Sequence, residues 1–123
     1  MKVIKIPTTN LKFYRQVLEL LRSIPPINKL RPKELDVLAQ LMHYNNVYRN
    51  LDEFARASLL LSKQQRKLMR ETLEIGEDSF NNHISRLRKF SIVKDNGGLH
   101  PFFDTIEYDK NFELRFNLKS KDD

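Results

Sequence analysis

The feature that most constrains the fold is a pair of helical patterns with only a few residues between them. Ser62 opens the first pattern, and Gln65 stands three residues later, which together make a capping box, the local signature of a helix N-terminus. This helix is predicted to end near Leu73. Gly76 follows, where a glycine can take the left-handed conformation that closes a helix.

The second pattern begins near Asp78 or Ser79 and is predicted to end near Phe90. Its apolar residues recur at i, i+4 and i+7, which is the spacing of one buried helix face. That face consists of Phe80, Ile84 and Leu87. The two patterns therefore predict two consecutive helices joined by a short turn.

Three further helices are predicted upstream, over about 11–23, 32–44 and 51–60. Pro32 suits the first position of its helix, because its missing N–H would have no partner there. The segment Ile24–Asn28 contains two prolines and must interrupt the chain between the first two helices.

Extended structure is predicted at both ends of the chain. Met1–Ile6 forms a short extended segment that Pro7 stops, and Ser91–Lys94 forms a short strand before the turn signal Asp95–Gly98. Phe112–Leu118 alternates strictly between apolar and polar residues, as a half-buried strand does.

This order of elements resembles that of the winged helix-turn-helix superfamily. The likeness rests on Leu73–Lys89 at the turn, Ile92–Lys94 at the entry to the wing and Leu30–Leu38 at the opening helix. Gly98–Phe102 is similar to a turn in winged-helix replication initiators of plasmids and phages. The resemblance implies a mainly α fold with a small β-wing, to which this chain adds an N-terminal helical arm. The extra helix over 51–60 and the long stretch 99–111 depart from the family pattern.

The domain organisation follows from these breaks. We expect a strand-and-helix arm over 1–28, a winged-helix domain over 29–118 and a frayed tail over 119–123. The chain of 123 residues is too short for two full hydrophobic cores.

Charge is distributed unevenly along the sequence. The chain carries 22 Lys and Arg against 16 Asp and Glu, for a formal charge of +6. Residues 62–94 hold a net charge of +4, whereas residues 95–123 hold −3. A partner that is a polyanion would therefore meet the helix pair and not the acidic C-terminal quarter.

The resemblance and the charge together predict a DNA-binding protein that regulates transcription or replication. The helix 78–90 would enter the major groove, and the helix before it would lie on the phosphate backbone of double-stranded DNA. The expected phosphate contacts form a stripe at i, i+3, i+4 and i+7: Lys63, Arg66, Lys67 and Arg70. The expected groove contacts are the outward side chains Ser79, Asn81, Asn82, Ser85, Arg86 and Lys89.

A second hypothesis for the function remains open beside DNA binding. The chain could be a structural or adaptor subunit of a phage particle or another large assembly, with protein–protein contacts in place of DNA. In either reading the arm is expected to mediate self-association or to dock on a partner. Its contact face would be Tyr14, Leu18 and Leu21.

Several kinds of chemistry have no motif in the sequence. The chain has no cysteine, and His43, His83 and His100 have no ligand-like spacing, so neither a metal site nor a cofactor is predicted. No phosphate-binding glycine loop or nucleophile motif is present, which predicts a protein that is not an enzyme. Without an apolar run of membrane-spanning length, a cytoplasmic location is expected, or the virion in the second reading.

Overall fold

The computed structural model describes residues 3–5, 10–104, 106 and 113–115. Within these residues the fold is mainly α, as predicted. The α-helices are α1 (Asn10–Leu20), α2 (Pro32–Val47), α3 (Glu53–Leu60), α4 (Lys63–Leu73), α5 (Glu77–Lys89) and α6 (Pro101–Asp104). A single 3-10 turn, Ile27–Lys29, lies between α1 and α2. No helix in these ranges is both long enough and apolar enough to cross a lipid bilayer.

The predicted β-wing is wrong. After Lys94 the chain reverses through a turn in which Lys94 N donates to Gly98 O at 2.7 Å, but within the described residues around this turn the pairing is limited to one isolated bridge, between Val93 and Leu99. Helix α6 then starts at Pro101, so the outgoing chain leaves the extended conformation before a hairpin can grow. Ser91–Lys94 is therefore not a strand, and the winged helix-turn-helix fold class is not formed.

The two strands of the described chain pair with each other. β1 (Val3–Lys5) runs antiparallel to β2 (Glu113–Arg115), with Ile4 opposite Leu114. The predicted C-terminal strand is thus present in part, but its partner is the N-terminal segment and not the residues after α5. The rest of the predicted 112–118 strand and the predicted tail lie outside the described residues.

Helix α2 is the centre of the fold. It packs against α1, α3, α4, α5 and α6, and apolar side chains are buried around most of its circumference, as expected of a core helix. The fully buried residues include Leu35, Leu38, Leu41 and Met42. Every other helix in the described chain therefore takes its position from α2.

Helix α1 contributes a full face to this core. Phe13, Tyr14, Val17 and Leu18 are at most 2% exposed where α1 packs on α2. The predicted break at 24–28 is confirmed, since α1 ends at Leu20 and the chain continues through the 3-10 turn. The helix that the sequence analysis assigns to an arm thus shares one hydrophobic core with the helices that follow it.

The start of α4 is capped by Ser62, as the sequence predicts, and the start of α3 is capped by Asp52, which the sequence analysis does not assign as a cap. Asp52 Oδ1 accepts from Ala55 N at 2.8 Å at the start of α3, and Ser62 Oγ accepts from Gln65 N at 3.3 Å at the start of α4. The end of α4 differs from the prediction. Glu74 takes the left-handed conformation, with φ 56° and ψ 44°, and Gly76 has φ −76° as the N-cap of α5.

The left-handed conformation of Glu74, in place of Gly76, leads to a stability prediction. A left-handed residue with a Cβ costs about 1–2 kcal/mol, and glycine avoids that cost while losing some entropy on folding. Glu74→Gly is therefore expected to raise the free energy of unfolding by about 0.5–1 kcal/mol in urea denaturation. Glu74→Ala is the matched control and keeps the left-handed strain. Equal stability of the Gly and Ala variants would contradict the assignment.

Candidate nucleic-acid interface

Helices α4 and α5 form a helix-turn-helix unit on one side of α2. Three residues, Glu74–Gly76, join them, and both helices pack on α2. The predicted core face of α5 is confirmed, because Phe80 and Leu87 are fully buried and Ile84 is 5% exposed. Met69 anchors α4 in the same core. The opposite faces of the two helices are left at the surface.

The predicted stripe on α4 lies on that surface. Lys63 and Lys67 are exposed, and Arg66 and Arg70 are half-buried. Lys67 Nζ lies 4.0 Å from Glu71 Oε1, an exposed pair that contributes little to stability. No carboxylate in the described chain lies within ion-pair distance of the other three cations. Their charge is thus available to a partner.

The outward face of α5 consists of exposed polar side chains. Asn82, Ser85 and Lys89 follow each other at i, i+3 and i+7, so their side chains lie along the line farthest from the core. Asn81 is also exposed. Amide side chains can make paired hydrogen bonds with an adenine edge, and the lysine can reach a phosphate. This line of side chains is suited to reading a groove.

Arg86 has a different environment from the other predicted contacts. Its Nε lies 2.6 Å from Oε2 of Glu34, a carboxylate whose side chain is only 1% exposed. Its Nη2 donates to the carbonyl of Lys29 at 3.2 Å, and its guanidinium lies 5.4 Å from the centre of the Phe90 ring. Arg86 thus joins α5 to the start of α2 and neutralises a buried charge.

Ser79 and His83 lie on the same flank of α5. Ser79 Oγ is 3.4 Å from His83 Nε2, and His83 Nδ1 is 3.9 Å from Glu34 Oε2. The imidazole is only 17% exposed, so it faces the Glu34 carboxylate and not the solvent. Ser79 stays at the surface, beside the outward line of α5.

Glu34 is the residue that the sequence analysis misses. It stands three residues after Arg31, and its Oε1 accepts from the Arg31 backbone N–H at 2.9 Å, as the third residue of a helix does in a capping box. An acidic residue at this position, two after Pro32, is a signal that the sequence does contain. The sequence does not indicate that Arg86 on α5 is its partner, because 52 positions separate the two residues.

Acidic residues lie at the start of α5 and, away from the unit, on α6. Glu77 and Asp78 are exposed in the first turn of α5, where they stabilise the helix dipole and repel phosphate. In the acidic C-terminal quarter, Asp104 accepts from Asn45 Nδ2 at 2.7 Å and pairs with Arg56 at 3.5 Å, so its carboxylate faces α2 and α3. A polyanion would therefore approach the middle and end of α5, together with α4.

The predicted partner face of α1 is buried in this chain. Tyr14 and Leu18 are fully buried and Leu21 is 6% exposed, all three in the core with α2. In this conformation they have no surface to offer a partner. The proposals below therefore do not use them as contact residues.

The histidines do not assemble a ligand set. No group of three or more potential metal ligands occurs among the described residues. His43 packs edge-on against the rings of Tyr14 and Tyr44, at centroid distances of 6.5 and 4.8 Å, and burial lowers its pKa from the ordinary value. His100 Nδ1 accepts from Phe102 N at 3.1 Å, a local turn contact.

Comparison with protein-family models, with curated proteins and with solved structures finds no match to this chain. The resemblance to the winged helix-turn-helix superfamily therefore has no relative to support it. The function has to be argued from the chain's own residues.

The Arg86–Glu34 pair can be tested by double substitution. Arg86→Met leaves a buried carboxylate without its counter-charge, which is expected to lower the free energy of unfolding by about 3 kcal/mol. Glu34→Leu combined with Arg86→Met removes both charges and is expected to recover most of that loss. Urea denaturation of the two single variants and the double variant measures the coupling. Additive losses would show that the two side chains do not interact.

Proposed function

We propose that this chain binds double-stranded DNA through the helix-turn-helix unit formed by α4 and α5. The observations that carry the proposal are the three cations of α4 that form no ion pair in the described chain, Lys63, Arg66 and Arg70, and the polar outward line of the next helix, α5. Phosphate contacts supply most of the affinity of such proteins, and side chains at the groove edges supply the sequence preference.

The dimensions of α5 support this assignment. Its 13 residues span about 20 Å, and a major groove about 12 Å wide admits one α-helix. Asn82 and Ser85 occupy the middle of the outward line and would meet base edges. Lys89, at the C-terminal end, would meet a flanking phosphate.

The acidic first turn of α5 determines how the helix would approach. Glu77 and Asp78 would repel phosphate if the N-terminal end entered the groove first. The middle of α5 therefore faces the groove in this proposal, and Lys63 and Arg66 at the start of α4 meet the backbone. Arg86 is excluded from base contact here, because its guanidinium is held by Glu34.

A salt series tests the phosphate contacts. Each cation that neutralises a phosphate contributes about 0.9 to the slope of log affinity against log salt, because counterions are released. The double variant Lys63→Gln/Arg66→Gln is therefore expected to reduce that slope by about 2. Fluorescence anisotropy with a random-sequence duplex measures affinity and slope together.

The matched control removes the same charge elsewhere. Lys12→Gln/Arg22→Gln also lowers the net charge by two, at exposed positions in and just after α1. Its slope is expected to stay within about 0.5 of the unmodified chain's, since general electrostatic attraction changes less than a direct contact. Equal reductions in both variants, or no binding at about 50 mM salt, would contradict the proposal.

A further inference from the structure

Asn82 offers an unused carboxamide on the outward side of α5. Successive residues of an α-helix are about 100° apart around its axis, so Asn82 lies on the opposite side of α5 from the buried Phe80 and Leu87. Its side chain is exposed, and its carboxamide forms no hydrogen bond with another residue of the described chain. The two N–H donors and the carbonyl acceptor are therefore available to a partner.

The cations of α5 do not face the base pair that Asn82 would meet. Guanine presents two acceptors in the major groove, N7 and O6, which arginine and lysine bind. Arg86 lies one turn after Asn82, but Glu34 holds its guanidinium. Arg88 is exposed about 120° around the helix from Asn82, so it faces a wall of the groove. Lys89 lies about 10 Å farther along the axis, which is about three base-pair steps away.

A carboxylate stands on the outward line one turn before Asn82. Asp78 precedes Asn82 by four residues, so the two side chains are neighbours on the helix surface. Asp78 forms no ion pair in the described chain. An ionised carboxylate can only accept hydrogen bonds, so it repels N7 and O6 of guanine and attracts the amino group of adenine or cytosine.

Adenine matches this pair of side chains. In the major groove it presents an acceptor, N7, next to a donor, the N6 amino group, and a carboxamide forms one hydrogen bond with each. Cytosine offers the amino donor without a neighbouring acceptor, and thymine offers one acceptor beside a methyl group. Adenine is therefore the base that uses both ends of the Asn82 carboxamide.

We infer that Asn82 selects adenine at the base pair it faces and that Asp78 disfavours guanine there. The inference rests on the proposed function and deepens it, because it names the sequence class that the α4–α5 unit prefers. A two-bond contact of this kind discriminates between bases by about tenfold.

Three duplexes of equal length test the preference by fluorescence anisotropy: alternating dA·dT, alternating dG·dC and alternating dI·dC. Inosine has the major-groove acceptors of guanine but lacks its minor-groove amino group, so it separates the two grooves. The unmodified chain is expected to bind dA·dT about tenfold more tightly than the other two, which are expected to be equal. Equal affinity for dA·dT and dI·dC, both tighter than dG·dC, would place the discrimination in the minor groove and overturn the inference.

Variants of Asn82 identify the side chain responsible. Asn82→Ala is expected to weaken dA·dT binding by about tenfold and to leave dG·dC binding unchanged. Asn82→Gln is expected to retain the dA·dT preference, because glutamine forms the same two bonds. The matched control Asn50→Ala removes an exposed carboxamide outside the α4–α5 unit and is expected to keep the affinity ratio. Circular dichroism confirms that each variant is folded.

A modified base tests the bond to N7. Substituting 7-deazaadenine for adenine removes that acceptor, so it is expected to weaken binding of the unmodified chain several-fold and to have little effect on the Asn82→Ala chain. Equal losses in the two chains would show that Asn82 does not contact N7 and would overturn the inference.

The contribution of Asp78 has its own matched control. Asp78→Asn and Glu77→Gln each remove one negative charge from the first turn of α5, so both are expected to strengthen binding to every duplex. Glu77 lies about 140° around the helix from Asn82, so its variant is expected to keep the affinity ratio. Asp78→Asn is expected to lower the ratio of dA·dT to dG·dC affinity. Equal ratios in the two variants would overturn the role of Asp78.

Two outcomes separate the inference from the proposal on which it rests. Equal binding to all three duplexes, or an unchanged affinity ratio in Asn82→Ala, would overturn the adenine preference and leave DNA binding in place. No binding to any duplex at about 50 mM salt would overturn the proposed function and the inference together.

Discussion

The position of the helix-turn-helix unit depends on one buried carboxylate. Glu34 stands at the start of the central helix α2, closes that helix through the Arg31 N–H, and faces Arg86 on α5 at 2.6 Å. Burying a carboxylate is costly, and only a counter-charge with good geometry offsets the cost. The pair therefore adds an electrostatic constraint on the position of α5 to the apolar packing of Phe80 and Leu87.

This pair also divides the basic residues of the unit into two groups. Arg86 pairs with the buried Glu34 carboxylate. In the described chain no carboxylate pairs with the other group, which consists of Lys63, Arg66 and Arg70. A sequence pattern cannot distinguish these groups, because every arginine on a polar face looks alike until its neighbours are known. The distinction matters for mutagenesis: Arg86→Ala would lower stability, so a loss of DNA affinity in that variant could not be read as a lost base contact.

The parts of the fold that the sequence predicts well are local. The helix start at Ser62 follows from its capping box, and the buried face of α5 follows from the 3.6-residue period. The β-wing fails because strand pairing is non-local: β2 has the expected alternation, but it pairs with β1 at the other end of the chain. The sequence likewise does not predict that Tyr14 packs against α2. An apolar helix face predicts that the helix will contact something, but it does not identify the contacting element.

The most direct test of the proposed DNA interface maps it residue by residue. In an NMR titration with a duplex of random sequence, amide shifts are expected to concentrate in α4 from Lys63 to Arg70 and on the outward line of α5 from Asn81 to Lys89. The amides around Ile24 and Phe54 are expected to stay unchanged. Shifts confined to those two regions, with α4 unaffected, would contradict the account.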